Sequence, residues 1–366
     1  MAQKNRRQRR LEQSKRTRAQ RTQDAQRGRS GTAPRLERRR RRAAWGGVAV
    51  LVVVVAAVTL PLVLSSSSNP SPPSSAPGTT SGPSLSSHTL LKLPAASAVA
   101  RRGGVGWVTD DLRDVLLRFD AATGRVERSV HLAGRPVAMV LAGGRLWVAD
   151  AVANQVLEVD PATLTVEHSV AVPAGPTSLA VLDGDVWVSS LQADEVTPIN
   201  LQTGAAGTPD VVSAGAVRVA AGYGSLWVTG TTNVLTRVTP EATSGDGLTG
   251  VSQQTVTVGQ GPIGVATGLG AVWVANAADG TVSAVAPTAM SVTATLHVGG
   301  DPLTVAVSGR DVYVGDGTAQ TVRTVSPAPM SKALVVGTAP RVLVPVAGGV
   351  WVGGSNPGRV AAVARG

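Results

Sequence analysis

The chain has no cysteine and only one phenylalanine, two tyrosines and seven tryptophans in 366 residues. Without cysteine there is no disulfide, no thiolate metal site, no thiol nucleophile and no lipidated cysteine anchor. Charge is sparse at 16% of residues, and it is unevenly placed. Residues 1–42 hold 17 Lys and Arg against three acids, a net +14, while residues 43–366 hold 17 basic and 20 acidic residues, a net −3. The overall charge of +11 therefore belongs to a tail and is no evidence for a nucleic-acid-binding fold. Glycine (42) and proline (23) are abundant and long amphipathic helical patterns are missing, which favours many short strands and turns.

Only one long apolar run is present, Ala43 to Leu64, without a single charge. As a helix at 1.5 Å per residue it would span about 33 Å, enough for a hydrocarbon core of about 30 Å. Five arginines, Arg38–Arg42, precede it, and no basic residue follows until Lys92. The positive-inside rule predicts a cytoplasmic N-terminus and an extracytoplasmic C-terminus in the cell membrane. The run exceeds the usual core of a cleaved signal peptide and lacks a clean Ala-x-Ala site, so a retained single-pass signal-anchor is the favoured reading and cleavage the other. The basic tail at 1–42 has almost no apolar residues and reads as disordered. It would attract anionic lipid at about 1 kcal/mol per basic residue near the surface. It lacks the interleaved aromatics that nucleic-acid binding by base stacking needs. Residues 65–87, rich in Ser and Pro, read as an extended linker.

From residue 88 onward one unit recurs seven times: a Pro or Ala, then eleven positions later an aromatic followed by Val. The pairs are Ala96/Trp107, Pro136/Trp147, Pro176/Trp187, Ala216/Trp227, Pro262/Trp273, Pro302/Tyr313 and Pro340/Trp351. Successive aromatics lie 40, 40, 40, 46, 40 and 38 residues apart. Each unit holds four strand signals, as in VAMVLA, RLWVAD, QVLEVD and TVEHSVAV. Four antiparallel strands in about 40 residues is one propeller blade, so residues 88–366 are expected to form an all-β, seven-bladed β-propeller. The aromatic on the second strand is expected to pack between neighbouring blades. The last unit stops after its third strand, and HTLLKL (88–93) supplies the missing fourth from the other end of the repeat region, which closes the ring.

The repeats WVADAVANQVLEVDPATLTVEHSVAVPAGPTSLAV and WVANAADGTVSAVAPTAMSVTATLHVGGDPLTVAV resemble YVTN-type repeats and the related virginiamycin B lyase-like propellers. That resemblance implies a propeller over about residues 85–366, and for the lyases a His and Glu pair with a magnesium ion near the central funnel. This chain departs from it there. Its four histidines, His88, His131, His168 and His297, all fall on predicted fourth strands, and no His stands at either position following the Pro.

Strand alternation places the residue three past each aromatic on the same rim as the start of the first strand. The ring so formed includes Asp110, Asp150, Asn276 and Asp316, and two readings of it stand: an acidic or cation-binding mouth, or side chains that cap the turn that follows. Arg218 and Arg341 interrupt otherwise small or apolar positions at the first-strand starts, and three readings stand: they hold an anionic ligand, pair with rim acids, or are plain surface arginines. No cofactor motif is present, and ligand spacing does not support a divalent cation at the funnel. The extra residues between the fourth and fifth units fall at Glu241–Gln253. These features predict a membrane-anchored binding or scaffolding module with a protein or small-molecule ligand on its rim. The alternatives are a metal-dependent carbon–oxygen lyase and the sensor half of an envelope signalling system.

Overall fold

A computed structural model describes residues 84–212, 215–242, 248–326 and 329–365. The tail (1–42), the expected span (43–64) and the linker up to residue 83 lie outside them. Among the described residues no helix is long and apolar enough to cross a membrane.

The described residues form seven four-stranded antiparallel sheets. Each of the first six is one consecutive run of chain, beginning at Ala98, Pro136, Pro176, Arg218, Pro262 and Pro302. The seventh is composite. Ala339–Val346, Gly349–Ser355 and Arg359–Arg365 are joined at the outer edge by Leu85–Lys92, whose register runs from Leu85 opposite Arg365 to Lys92 opposite Arg359. The result is a seven-bladed β-propeller. The closing strand begins three residues earlier than the expected 88, inside the segment read as linker, because Leu85 packs against the cluster of Tyr313, Val336 and Val350.

The aromatic–Val pair explains the ring. Successive side chains on a strand point to opposite faces, so the aromatic turns to the next blade and the Val to the previous one. Trp107 meets Val148, Trp147 meets Val188 and Trp187 meets Val228. Trp227 joins Val274, Trp273 joins Val314, Tyr313 joins Val352, and Trp351 joins Val108 across the closure. Burying one such indole is worth about 4 kcal/mol by area. Each is a contact between two blades, so the ring is stabilised as a ring.

Local turns set the blade length. In the second to fifth blades the first two strands are joined by two-residue turns with both residues at positive φ, as at Gly143 (58°) and Gly144 (77°), the mirror-image turn whose twist matches that of the strands. The third and fourth strands are joined by a turn in which Asp160 Oδ1 accepts the Ala162 amide (2.8 Å), the Thr163 amide (2.7 Å) and the Thr163 hydroxyl (3.0 Å). Asp120 and Asn200 repeat this arrangement in the first and third blades. The extra residues of the fourth blade lengthen its outer hairpin, Val234–Ala242 with Leu248–Thr257.

A bulge recurs at the start of the innermost strand. In the second, third, fifth, sixth and seventh blades the register shifts between the Pro and the residue two beyond it. The residue between them is left without a ladder partner, which frees backbone groups at one rim of the channel.

Candidate functional site: the bulged rim of the channel

The bulges, the loops from second to third strands and the loops between blades all lie on one rim. Four residues of the expected ring are on it, buried and engaged locally. Asp150 Oδ1 accepts the amides of Arg135 (3.0 Å), Val152 (3.0 Å) and Ala153 (3.1 Å), and Oδ2 accepts from Gln155 (3.3 Å). Asp316 accepts the amides of Asp301 (3.3 Å) and Ala319 (2.8 Å). Asn276 donates to Thr281 Oγ1 (3.0 Å) and Ser283 Oγ (2.9 Å), leaving its Oδ1 buried without a partner among the described residues. Asp110 Oδ1 accepts the Leu112 amide (3.1 Å), while its Oδ2 is buried and has no partner among the described residues. Burial pushes the Asp110 carboxyl above its ordinary value, against the opposing pull of backbone amides led by that of Leu112.

Hydroxyl groups at this rim clasp neighbouring blades. Ser97 donates to the Pro136 carbonyl (2.8 Å), Thr177 to Val217 (2.7 Å) and Thr229 to Ile263 (2.8 Å). Their hydrogen-bonding capacity serves the ring.

The two arginines behave differently. Arg218 starts the innermost strand of the fourth blade, and its Nη2 donates to the Arg341 carbonyl of the seventh blade at 3.2 Å. Those blades are three places apart in a ring of seven, so the side chain spans the mouth of the channel. The carbonyl it reaches belongs to a bulged residue without a ladder partner, between Pro340 and Val342. Arg341 in turn directs Nη1 to Asp111, at 3.0 Å from Oδ1 and 3.2 Å from Oδ2. Burial, followed by the charge of Arg341, lowers the pKa of Arg218, although a guanidinium remains charged. Among the described residues no carboxylate lies within 4.0 Å of it. The sequence reading missed Asp111. Counting one residue per blade selects Asp110, and the only hint was the doublet Asp110–Asp111, which has no counterpart in the other repeats.

Asp111 also lines a cleft of ≈ 600 Å³ between the first two blades, together with Asp114, His131 and Arg135. A second cleft of ≈ 500 Å³, with Asp279, Thr281 and His297, opens on the same rim.

The magnesium-dependent lyase site implied by the resemblance does not fit these residues. His131 and His297 end outer strands, His168 pairs with Glu158 (3.1 Å) on an outer strand, and His88 is on the closing strand. The mouth itself presents two guanidinium groups; of its buried carboxylates, Asp111 is paired with Arg341, and Asp110, Asp150 and Asp316 accept backbone amides. Among the described residues no group of three or more His, Asp or Glu is placed to hold a metal ion. Carboxylates already committed to backbone amides and to an arginine are a poor donor set for a divalent cation.

No family model matches the chain, and no curated protein matches it. Solved structures do. A streptogramin B lyase structure superposes with a TM-score of 0.64 at 14% identity, covering 77% of this chain and 98% of that one. The WD40 repeats of RRP9 give 0.63 at 10% identity, with 76% and 97% covered. BamB from Moraxella catarrhalis gives 0.51 at 17% identity, with 74% and 81% covered. At such identities the likeness is one of fold.

Proposed function

We propose that this chain is a single-pass membrane protein with a cytoplasmic N-terminus, displaying a YVTN-type, virginiamycin B lyase-like propeller outside the cytoplasm as a binding module. The apolar run at 43–64 and the arginines before it support the anchor and its direction. The observation that carries the binding reading is the meeting of Arg218 and Arg341 across the mouth, where the other strand starts are small or apolar. Propellers present such a mouth on a rigid scaffold, and the same fold serves enzymes and scaffolds alike, so the residues at the mouth decide. Here Arg218, Arg341 and Asp111 form a polar contact set.

The test uses the full chain. Its membranes are washed with carbonate and intact cells are treated with external protease; retention in the membrane together with loss of the propeller supports the topology. Release by carbonate, or protection from protease, overturns it. The detergent-solubilised chain is then melted against a small-molecule panel, with R218A/R341A as control. A shift lost in the double variant supports the mouth as the binding site, and an unchanged shift removes it. Opening of a cyclic depsipeptide lactone, abolished by EDTA, would favour the lyase reading instead.

A further inference from the structure

Arg218 has five N–H donors in a planar fork, and among the described residues one of them is used, on a neutral carbonyl at 3.2 Å. The charge of Arg341 is met by Asp111, which is buried, whereas the charge of Arg218 is met by no carboxylate among the described residues. The Asp110, Asp150 and Asp316 carboxylates of the same rim are engaged by backbone amides and lie beyond 4.0 Å of Arg218, and Arg218, Arg341 and Asp111 together carry one net positive charge. The repeats did not require it: the equivalent positions in other blades are Ala98, Ala138, Ser178, Gly264, Thr304 and Val342. Burial and the neighbouring Arg341 both disfavour that charge in the free protein, and a bound anion would relieve both. At the preceding position of the strand starts stand Val137, Val217, Ile263 and Leu303, all half-buried. A few convergent polar donors among apolar walls is the ordinary make-up of a small-molecule site.

We propose that the mouth binds a small organic acid, its carboxylate held by the Arg218 guanidinium and its apolar body lying against Val137, Val217, Ile263 and Leu303. This rests on the reading of the mouth as the binding site and adds the chemical class of ligand. One net positive charge suits a monoanion, and a guanidinium fork matches the two carboxylate oxygens. Arg341 is committed to Asp111 and serves as a positioning residue, offering its carbonyl to align Arg218.

The experiment titrates the full chain, in detergent at low salt, with hexanoate, its neutral counterpart hexanamide, and inorganic phosphate, following the melting midpoint and binding heat. Hexanoate is expected to bind and stabilise, hexanamide to do neither at equal concentration. Arg218→Met is expected to weaken hexanoate binding roughly ten- to hundredfold, the loss of a charged hydrogen-bonding partner. Arg218→Lys should recover only part, since an ammonium keeps the charge and loses the fork. In ligand-free buffer Arg218→Met should melt at or above the wild-type midpoint, as expected when a charge kept for binding is removed. A lower ligand-free midpoint would make Arg218 a strut between the fourth and seventh blades and overturn the proposal. Equal binding of hexanamide and hexanoate overturns the assignment to an acid and leaves the mouth as a binding site. Binding of phosphate without hexanoate overturns the organic-acid class. No response to any of the three overturns the proposal, and the panel comparison with R218A/R341A then decides separately whether the mouth binds anything.

Discussion

Arg341 in the seventh blade donates to both carboxylate oxygens of Asp111 in the first, at 3.0 and 3.2 Å, across the seam where the two ends of the repeat region meet. Asp111 is buried and Arg341 is about a third exposed. This contact therefore does more than a fully solvated surface pair. Asp111→Ala is expected to destabilise the propeller by about 1–2 kcal/mol, read as a lower urea midpoint, because Arg341 loses its counter-charge. It also raises the positive charge of the mouth and should strengthen hexanoate binding. An unchanged urea midpoint would show that the seam does not depend on this pair.

The tryptophans are equivalent in packing and unequal in hydrogen bonding. Trp227 Nε1 donates to the Gly222 carbonyl at 2.9 Å, whereas Trp187 Nε1 is buried without an acceptor among the described residues. Replacing either by Phe leaves a comparable void, but only Trp227→Phe also removes a hydrogen bond. Trp227→Phe should therefore cost about 1 kcal/mol more than Trp187→Phe in equilibrium unfolding. Equal costs would mean that the Gly222 carbonyl finds another donor. Trp187→Ala should cost about 3–5 kcal/mol, the usual range for a buried indole.

Two sets of carboxylates give opposite pH dependences. Asp110 is held above its ordinary value of 3.8, chiefly by burial, so the folded state binds its proton more tightly than the unfolded chain does. Its contribution to stability must fall as pH rises from 3.8 through the raised value. Asp160 is held below 3.8, first by the Thr163 amide, so its stabilising contribution is present above 3.8 and is lost as pH falls through the lowered value. Asp110→Asn should thus gain on the wild type toward neutral pH. Asp160→Asn should lose its disadvantage in acid. Urea midpoints across the acidic range read both, and identical profiles for the two variants would contradict the assignment.

Deleting the closing strand, residues 85–92, leaves Arg359–Arg365 as an open edge and removes Leu90 and Leu91 from the cluster around Trp351 and Phe119. An exposed edge of this kind invites pairing between molecules. The truncated chain should show concentration-dependent association in size-exclusion chromatography and a broader melt. A monomer with an unaltered cooperative melt would mean that the ring closes adequately without the strand.

Much of this architecture is written locally. The Trp-Val and Tyr-Val pairs alternate across a strand, so seven copies determine seven blades and also which neighbour each side chain meets. The Gly-Gly turn after Ala142 and the Asp-Pro-Ala-Thr turn at 160–163 place the strand ends by their own backbone preferences. The missing fourth strand could be found by counting, although its start at Leu85 depended on what Leu85 packs against. That two arginines interrupt the strand starts was also readable from the sequence.

Which partners those arginines take was decided by the tertiary structure alone. Arg218 and Arg341 are 123 residues apart, and Arg341 and Asp111 are 230 apart. Ring closure brings them to one mouth, and the backbone bulge after Pro340 frees the carbonyl that Arg218 reaches. Periodicity reports only what every blade shares, because it arises from contacts each blade repeats with its neighbour. A site made of the exceptions depends on which blades face one another across the channel, and that is set by the closed geometry of seven.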